Sequence, residues 1–428
     1  MADYVRPDSR VAVGHSTAEP TTLLEALVAQ RADYAGARLL MHASFSTIVE
    51  AGHADCLHLQ AFGAIGTQSS LTRAGVLDIV PIHLADVPRL AASGDLDVDV
   101  VLLSVSPPDS RGRYSLGLVN DYMWAWVRRA RVVIAEMNEQ MPFTHGGPFL
   151  TEGDIGILVP SNRELIELPP ASVGDVERRI AEHVAHFVED GATLQFGVGA
   201  VPDAVAASLG AFKNLGIHSG VVPDAVVDLI QAGVVTNALK AIDRGVSVTG
   251  AVWGTRRLYD FVHDNPAFHV RPLTYTHAPE TLARLDQFLS LNSAIEIDLA
   301  GQANLEEAQG RYIGAVGGTL DFVRGARLSQ RGRSIVALPS TAANGRVSRI
   351  VPHLNGPTTI ARSDIDTVIT EFGSAELRGQ PLSERRRRLI AIAHPGFRDE
   401  LERSENVERP TAGVSMPETL HSSVRLGK

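Results

Sequence analysis

The strongest constraint on the fold is an alternation along the chain: short β-branched runs recur, separated by longer stretches with helical spacing. The runs include VAVGH (11–15), DVVLLSV (99–105), RVVIAEM (131–137), IGILV (155–159), TLQFGVG (193–199), SVTGAV (247–252) and SIVAL (334–338). Strands covered on both faces need nearly continuous apolar runs, and parallel pairing needs crossovers that helices supply. The expected fold class is therefore α/β with mainly parallel strands. The clearest helix lies between Pro169-Pro170 and Gly191, where Val176, Ile180, Val184 and Phe187 fall at helical intervals and Gly191 is placed to end it. Pro169-Pro170 is the sharpest break near the middle of the chain. Two similar units are expected, over 1–188 and 189–401, each opening with a strand, a glycine turn and a helix: VAVGH before PTTLLEALVAQ, and TLQFGVGAVPDAVAASL at 193–209. From 402 to 428 the apolar periodicity fades and Pro, Ser and Thr accumulate, as in a mobile tail.

With 428 residues, 44% of them hydrophobic, the chain can fill two cores. Its formal charge of -10 would repel phosphate polymers and anionic membranes, so no nucleic-acid or membrane partner is expected. MADYVRPDSR lacks a basic segment followed by an apolar one, and no apolar run approaches the roughly 18 residues that span a bilayer. A cytoplasmic location is expected. Cys56 is the single cysteine, which excludes an intramolecular disulfide and a cysteine-rich zinc site; beside His53 and His58 it reads as an ordinary thiol. His183 and His186 are three apart on the expected helix, and they read as surface residues, so no metal is expected.

Gly197-Val198-Gly199 follows a strand and precedes a helix, yet Pro202 stands where a dinucleotide fingerprint needs its third glycine. A tight turn with amides free to hold an anionic or thioester group remains. A second cluster, Gly314-Ala315-Val316-Gly317-Gly318, lets backbone N–H groups approach a ligand, as an oxyanion hole for a thioester carbonyl requires. The run Arg385 to Arg388 lies above Leu389, Ile390 and Ile392 on an expected helix and reads as a solvated face. Trp124, Trp126, Trp253 and Tyr259 are candidates for shaping a pocket or filling the core. No G-x-S-x-G elbow, P-loop or H-E-x-x-H is present.

Taken in order, VSPPDSRGRYSLG (105–117), EMNEQMPFTHG (136–146), EDGATLQFGVGAVPDAV (189–205), GIHSGVVPDAVVDLIQAGVVTN (216–237), SLNSAIEIDLAGQAN (290–304), VGGTLDFVRGA (316–326), ALPSTAANGRVSRIVP (337–352) and AIAHPGFRDEL (391–401) resemble the acetyl-CoA hydrolase/transferase family. This family includes the single-chain 4-hydroxybutyrate and butyryl-CoA:acetate CoA-transferases. The resemblance implies two tandem CoA-transferase-type open α/β domains with the active site between them, often in a homodimer. It implies a coenzyme A thioester as substrate and no permanently bound cofactor. By the same resemblance, Gly197 and Gly199 line the thioester or CoA channel, Val316-Gly317-Gly318 supply oxyanion amides, and Asn138, His145 and Glu296 border the cleft.

One position departs from the pattern. Where these transferases carry G-I-H-T-E-M, with a glutamate that attacks the thioester, this chain reads Gly216-Ile217-His218-Ser219-Gly220-Val221. A carboxylate nucleophile keeps the thioester's energy through an anhydride and a glutamyl-CoA, and Gly220 has no side chain to do so. Ser219 should point to the opposite face of the strand, and Asp224 matches an aspartate that the transferases already have. A further change puts Ala315 at the first glycine of a G-V-G-G pattern. Loss of the glutamate would open space for water. The leading expectation is that water, activated by His218 or Glu296, attacks the thioester or a β-keto carbonyl of an acyl-CoA, with the charge held near Gly317 and Gly318. The alternatives are CoA transfer to a carboxylate, by another nucleophile or directly, and a noncatalytic CoA-ester binding protein.

Overall fold

The computed structural model describes residues 1–404 and contains two open α/β sheets. The first is built from β1 (Arg10–Val13), β2 (Arg38–Met41), β3 (His58–Ala61), β4 (Leu77–Ile79), β5 (Val100–Val105), β6 (Val132–Asn138) and β7 (Ile157–Ser161), in the spatial order β4-β3-β2-β1-β5-β6-β7. All its pairings are parallel. Every residue of β5 is buried, and its side chains divide by alternation: Val100 and Leu102 enter one core, Val101, Leu103 and Val105 the other. That two-sided burial is why the strand reads as an unbroken apolar run.

The second sheet contains β8 (Thr193–Phe196), β9 (Gly216–Val222), β10 (Ser247–Val252), β11 (Phe268–Val270) and β12 (Phe288–Asn292), ordered β11-β10-β9-β8-β12 and continued by Arg333–Ala337, Thr367–Thr370 and Gly373–Glu376. Only the last pairing is antiparallel. The two sheets share one plan. Each begins with its central strand, adds the next three to one side, and then returns to the other side. β1 and β8 therefore stand at equivalent points where the strand order reverses, and open α/β sheets bind ligands outside the carboxyl ends of strands at such points.

The helix expected before Gly191 runs over Asp175–Ala185. Ile180 and Val184 are buried, whereas Val176 is exposed and Phe187 lies beyond the last turn with the Arg333 guanidinium over its ring. Ile180, Ala181 and Val184 join the core of the second sheet. The chain before this helix straps across the same unit: Tyr259 Oη donates to Ile166 O, and Leu168 N to Gly254 O. Ile166, Leu168 and the helix Asp175–Ala185 thus all pack on the second sheet. In the helix Leu382–Ile392, Leu389, Ile390 and Ile392 are buried, but the arginine run above them is not simply solvated. Arg385 is buried and donates to Ala300 O and Arg362 O, while Arg386 donates to Leu401 O and ties down the next helix, Pro395–Arg403. That helix occupies the start of the expected tail, and 405–428 lie outside the described residues. Among the described residues no helix is long and apolar enough to cross a membrane, and no group of three or more His, Cys, Asp or Glu could hold a metal. Cys56 is a half-buried free thiol.

Candidate active site

The carboxyl ends of the central strands of both sheets converge on one cleft of about 360 Å³. His15 follows β1, His42 follows β2, and Asp121 comes from the long connection after β5. Gly197 follows β8, Gly220 lies near the end of β9, and Asn292 ends β12. The symmetric topology thus places two strand-order reversals across a shared gap.

The loop 314–318 closes the gap from the second unit. Gly314 O accepts from Ala64 N at 2.8 Å, Gly317 O accepts from Leu84 N at 3.1 Å, and Gly317 is bridged to His83. Ala315 is accommodated because its neighbour across the cleft is Gly63: a β-carbon on Gly63 would come within 2.4 Å of the Ala315 β-carbon. Gly317 has φ +60 and is committed to the bridge, so Gly318, which opens the helix Thr319–Leu328, is the better-placed amide for a developing negative charge. Val316, Gly317 and Gly318 all line the cleft, as do Gly197 and Gly220; Gly199 caps the helix Ala200–Ser208 with φ +110 and is not on the wall.

Four other sequence candidates lie elsewhere. His218 is wholly buried beside Tyr275 and Phe288, its Nε2 3.0 Å from Thr276 O, and burial, helped by the nearby Lys240 charge, pushes its imidazole down to about 3. It does not line the cleft. Glu296 accepts from Asn355 N and Nδ2, Gly356 N and Asn304 Nδ2, so it fastens loops and is not free to activate water. Asn138 donates to Arg163 O at the end of β6. His145 pairs with Asp264 at 2.9 Å in a separate hollow beside Arg111 and Arg113. Ser219 is buried, with its hydroxyl donating to Val221 O, and Asp224 accepts from Thr255, so neither faces the cleft.

Nor is Gly220 beside an empty space. A β-carbon there would lie 2.9 Å from Phe322 Cε2 and 3.3 Å from His277 Cε1 and Nε2. An aromatic ring and an imidazole have taken the room that a longer residue would need.

The polar groups of the cleft are therefore ones that local sequence does not reveal. His15 Nε2 lies 2.6 Å from Asp121 Oδ2, its Nδ1 is 2.8 Å from Ser16 Oγ, and its ring stacks on Tyr122 at 5.1 Å. Burial opposes ionisation of Asp121, but His15 and His42 together with its hydrogen bonds outweigh this and hold the carboxyl below its ordinary value. Burial first, and then the neighbouring His15, push His42 down to about 3. His277 is likewise pushed down to about 4 by burial. Trp253 lines the wall, with Phe45 edge-on at 5.2 Å. Trp126 instead donates to Leu96 O in the core, Trp124 to Asn120 Oδ1, and Tyr259 holds the strap described above. His15 had a positional signal, since it stands two residues past the strand at the order reversal. Asp121, 106 residues away, and His277 had none.

The junction of the two units also carries a titratable contact. Asp321, one turn into the helix that begins after Gly318, has a buried Oδ2 without a partner. Burial and the Asp86 carboxylate opposite push it up to about 7, against the Ala85 backbone and Arg324. A carboxyl raised in the folded state binds its proton more tightly there than in the unfolded chain. Stability should therefore fall as pH rises from about 4 to 7, by at most about 4 kcal/mol, with no further loss above. Asp321→Asn is expected to flatten that slope in urea unfolding measured at pH 5, 6 and 8.

Two tandem parallel sheets, meeting at their carboxyl ends with a glycine loop of one docked on the other, define a CoA-transferase-type α/β protein. The chain belongs to the acetyl-CoA hydrolase/transferase family: residues 1–157 match the family's N-terminal domain and 254–405 its C-terminal domain. It is 40% identical to a 4-hydroxybutyrate coenzyme A transferase of Clostridium kluyveri over 397 residues, 92% of either chain. It is 34% identical to a succinyl-CoA:cyclohexane-1-carboxylate CoA transferase of Geobacter metallireducens, over 90% of this chain and 89% of that one. The crystal structure of RipA from Yersinia pestis superposes with a TM-score of 0.89 at 37% identity, covering 94% of each chain.

Proposed function

We propose that this chain hydrolyses acyl-CoA thioesters in the cleft between its two units, with water in the role that an enzyme carboxylate has in covalent CoA transfer. One observation carries the reading. Among the described residues lining the cleft, Asp121 is the sole carboxylate, and it is paired with His15. A paired, buried carboxylate is held by its partner and is a poor nucleophile. With Gly220 on the opposite wall, no side chain is left to form a glutamyl-CoA.

The same wall speaks to the substrate. Among the described residues no arginine or lysine lines the cleft, and most of its surface is apolar, from Ile65, Leu84, Phe196, Val221, Trp253 and Phe322. A carboxylate held there would lose water without gaining a cation. The acyl group is thus uncharged, and kcat/KM for butyryl-CoA is expected to exceed that for succinyl-CoA by tenfold or more, about 1.4 kcal/mol.

Release of CoA thiol from an acyl-CoA panel, with and without acetate, tests the reading. Hydrolysis frees one thiol per turnover whether or not acetate is present. If thiol appears from no substrate, or if the acyl-CoA is consumed only when acetate is added and acetyl-CoA accumulates, hydrolysis is not the reaction. The second reading, direct transfer to a carboxylate without an enzyme intermediate, is favoured by the transferase names of the similar proteins. It predicts acetyl-CoA formation with nothing trapped on the protein by borohydride.

A further inference from the structure

We propose that His277 is the general base of the cleft, taking a proton from water on the Gly220 side while Gly318 faces the developing oxyanion; this rests on the hydrolytic reading above. The argument starts from which imidazole nitrogens are free. His15 has both committed, one to Asp121 and one to Ser16. His277 has only Nδ1 engaged, 2.9 Å from Thr276 Oγ1. The Thr276 hydroxyl also lies 3.4 Å from Pro272 O, a carbonyl that can take its proton. The threonine oxygen is then the acceptor for Nδ1–H, and Nε2 is left bare.

That bare nitrogen has no partner among the described residues, although His277 is only 4% exposed. It is aimed at the cleft between the two glycines. A β-carbon on Gly220 would stand 3.3 Å from it and one on Gly318 only 2.3 Å from it. Both positions must lack a side chain for a water on Nε2 to reach a carbonyl near the start of the helix Thr319–Leu328. Phe322 packs against the ring at 4.4 Å and fixes its plane.

His42 is the other lining imidazole without a partner, but its Nδ1 is buried and its ring packs among His15, Phe62 and Tyr122 on the first unit, whereas His277 abuts Gly220 and Gly318 directly. In the step assigned here, Nε2 removes a proton as the water oxygen bonds to the thioester carbon. The C–S bond then breaks, and the same proton passes to the departing thiolate, leaving a carboxylic acid and free CoA.

His277→Gln keeps size and hydrogen bonding but cannot take the proton. Thiol release from butyryl-CoA is expected to fall by a hundredfold or more in kcat, with KM changed less than about threefold. Hydroxylamine attacks without needing a base, so after subtraction of its uncatalysed reaction it should restore thiol release in the variant. Loss of the wild-type folding transition would instead mark the variant as unfolded. Thr276→Val, which removes the hydroxyl holding Nδ1, then serves in its place and should lower kcat about tenfold at unchanged KM. Retention of more than a tenth of wild-type kcat by His277→Gln, or failure of hydroxylamine to restore a folded variant, overturns the assignment. Wild-type protein that releases no thiol from any acyl-CoA overturns the hydrolytic reading itself and this inference with it.

Discussion

Gly220→Glu, which introduces the glutamate that the family resemblance implies for this position, is expected to abolish the cleft's activity rather than convert it to covalent transfer. Thiol release should drop by a hundredfold or more, and no glutamyl thioester should be trapped by borohydride. Its β-carbon would already stand 2.9 Å from Phe322 Cε2 and 3.3 Å from the His277 ring, before the rest of the side chain is placed. Overpacking of that kind costs about 1–3 kcal/mol in a core that cannot give way. The carboxylate would meet no arginine or lysine among the described residues of the cleft wall, so desolvation would raise its pKa and leave it mostly protonated and unreactive. It would also displace the bare Nε2 of His277. The double variant Gly220→Glu/Phe322→Ala relieves the closest contact. It is the one expected to yield a trapped glutamyl thioester on peptide mass analysis. Acetate-dependent transfer by the single variant would contradict this account of the cleft.

The contrast between glycine and its surroundings shows where sequence reasoning ran short. The short apolar runs are explained by two-sided burial, and each of the seven quoted strand runs lies in one of the two sheets. The glycine clusters at 197 and 314–318 were legible because a wall approached closely by backbone has few residue choices. Side-chain chemistry was not. His218 shares the face of its strand with Gly220, yet it is wholly buried against Tyr275 and Phe288 and does not reach the cleft. Glu296 was placed at the cleft only by resemblance, and its partner Asn355 sits in a different loop. In the other direction, Phe322, over a hundred residues away, stands where a side chain on Gly220 would go, and Gly63 makes room for Ala315 from the other unit. Such pairs are contacts between elements that a single sequence does not connect.

Asp121→Asn carries the other large effect. Asp121 and His15 form a buried pair at 2.6 Å, and the second carboxylate oxygen accepts the backbone N–H of Tyr122. Removing one member of such a pair leaves the other buried without its counterpart, which typically costs about 3–5 kcal/mol. In a domain of this size that is a melting-temperature loss of about 10 °C, readable by calorimetry. The pH dependence separates this from a packing defect. Asp121 is held below its ordinary pKa in the folded state, so its stabilisation is present above about pH 4 and is lost as pH falls through the folded value. The gap between wild type and variant should thus be widest near neutrality and close in acid; a constant gap would assign the loss to packing. The variant also weighs the pair's place in the chemistry. His15 lines the cleft and would lose its charged partner, so thiol release should fall even in the fraction that remains folded. Borohydride treatment of wild-type protein with acyl-CoA should still trap nothing at Asp121, because both its carboxylate oxygens are engaged, one by an imidazole and one by a backbone amide, which weakens it as a nucleophile. A trapped adduct at that residue would make the pair the nucleophile and put covalent transfer back in this cleft.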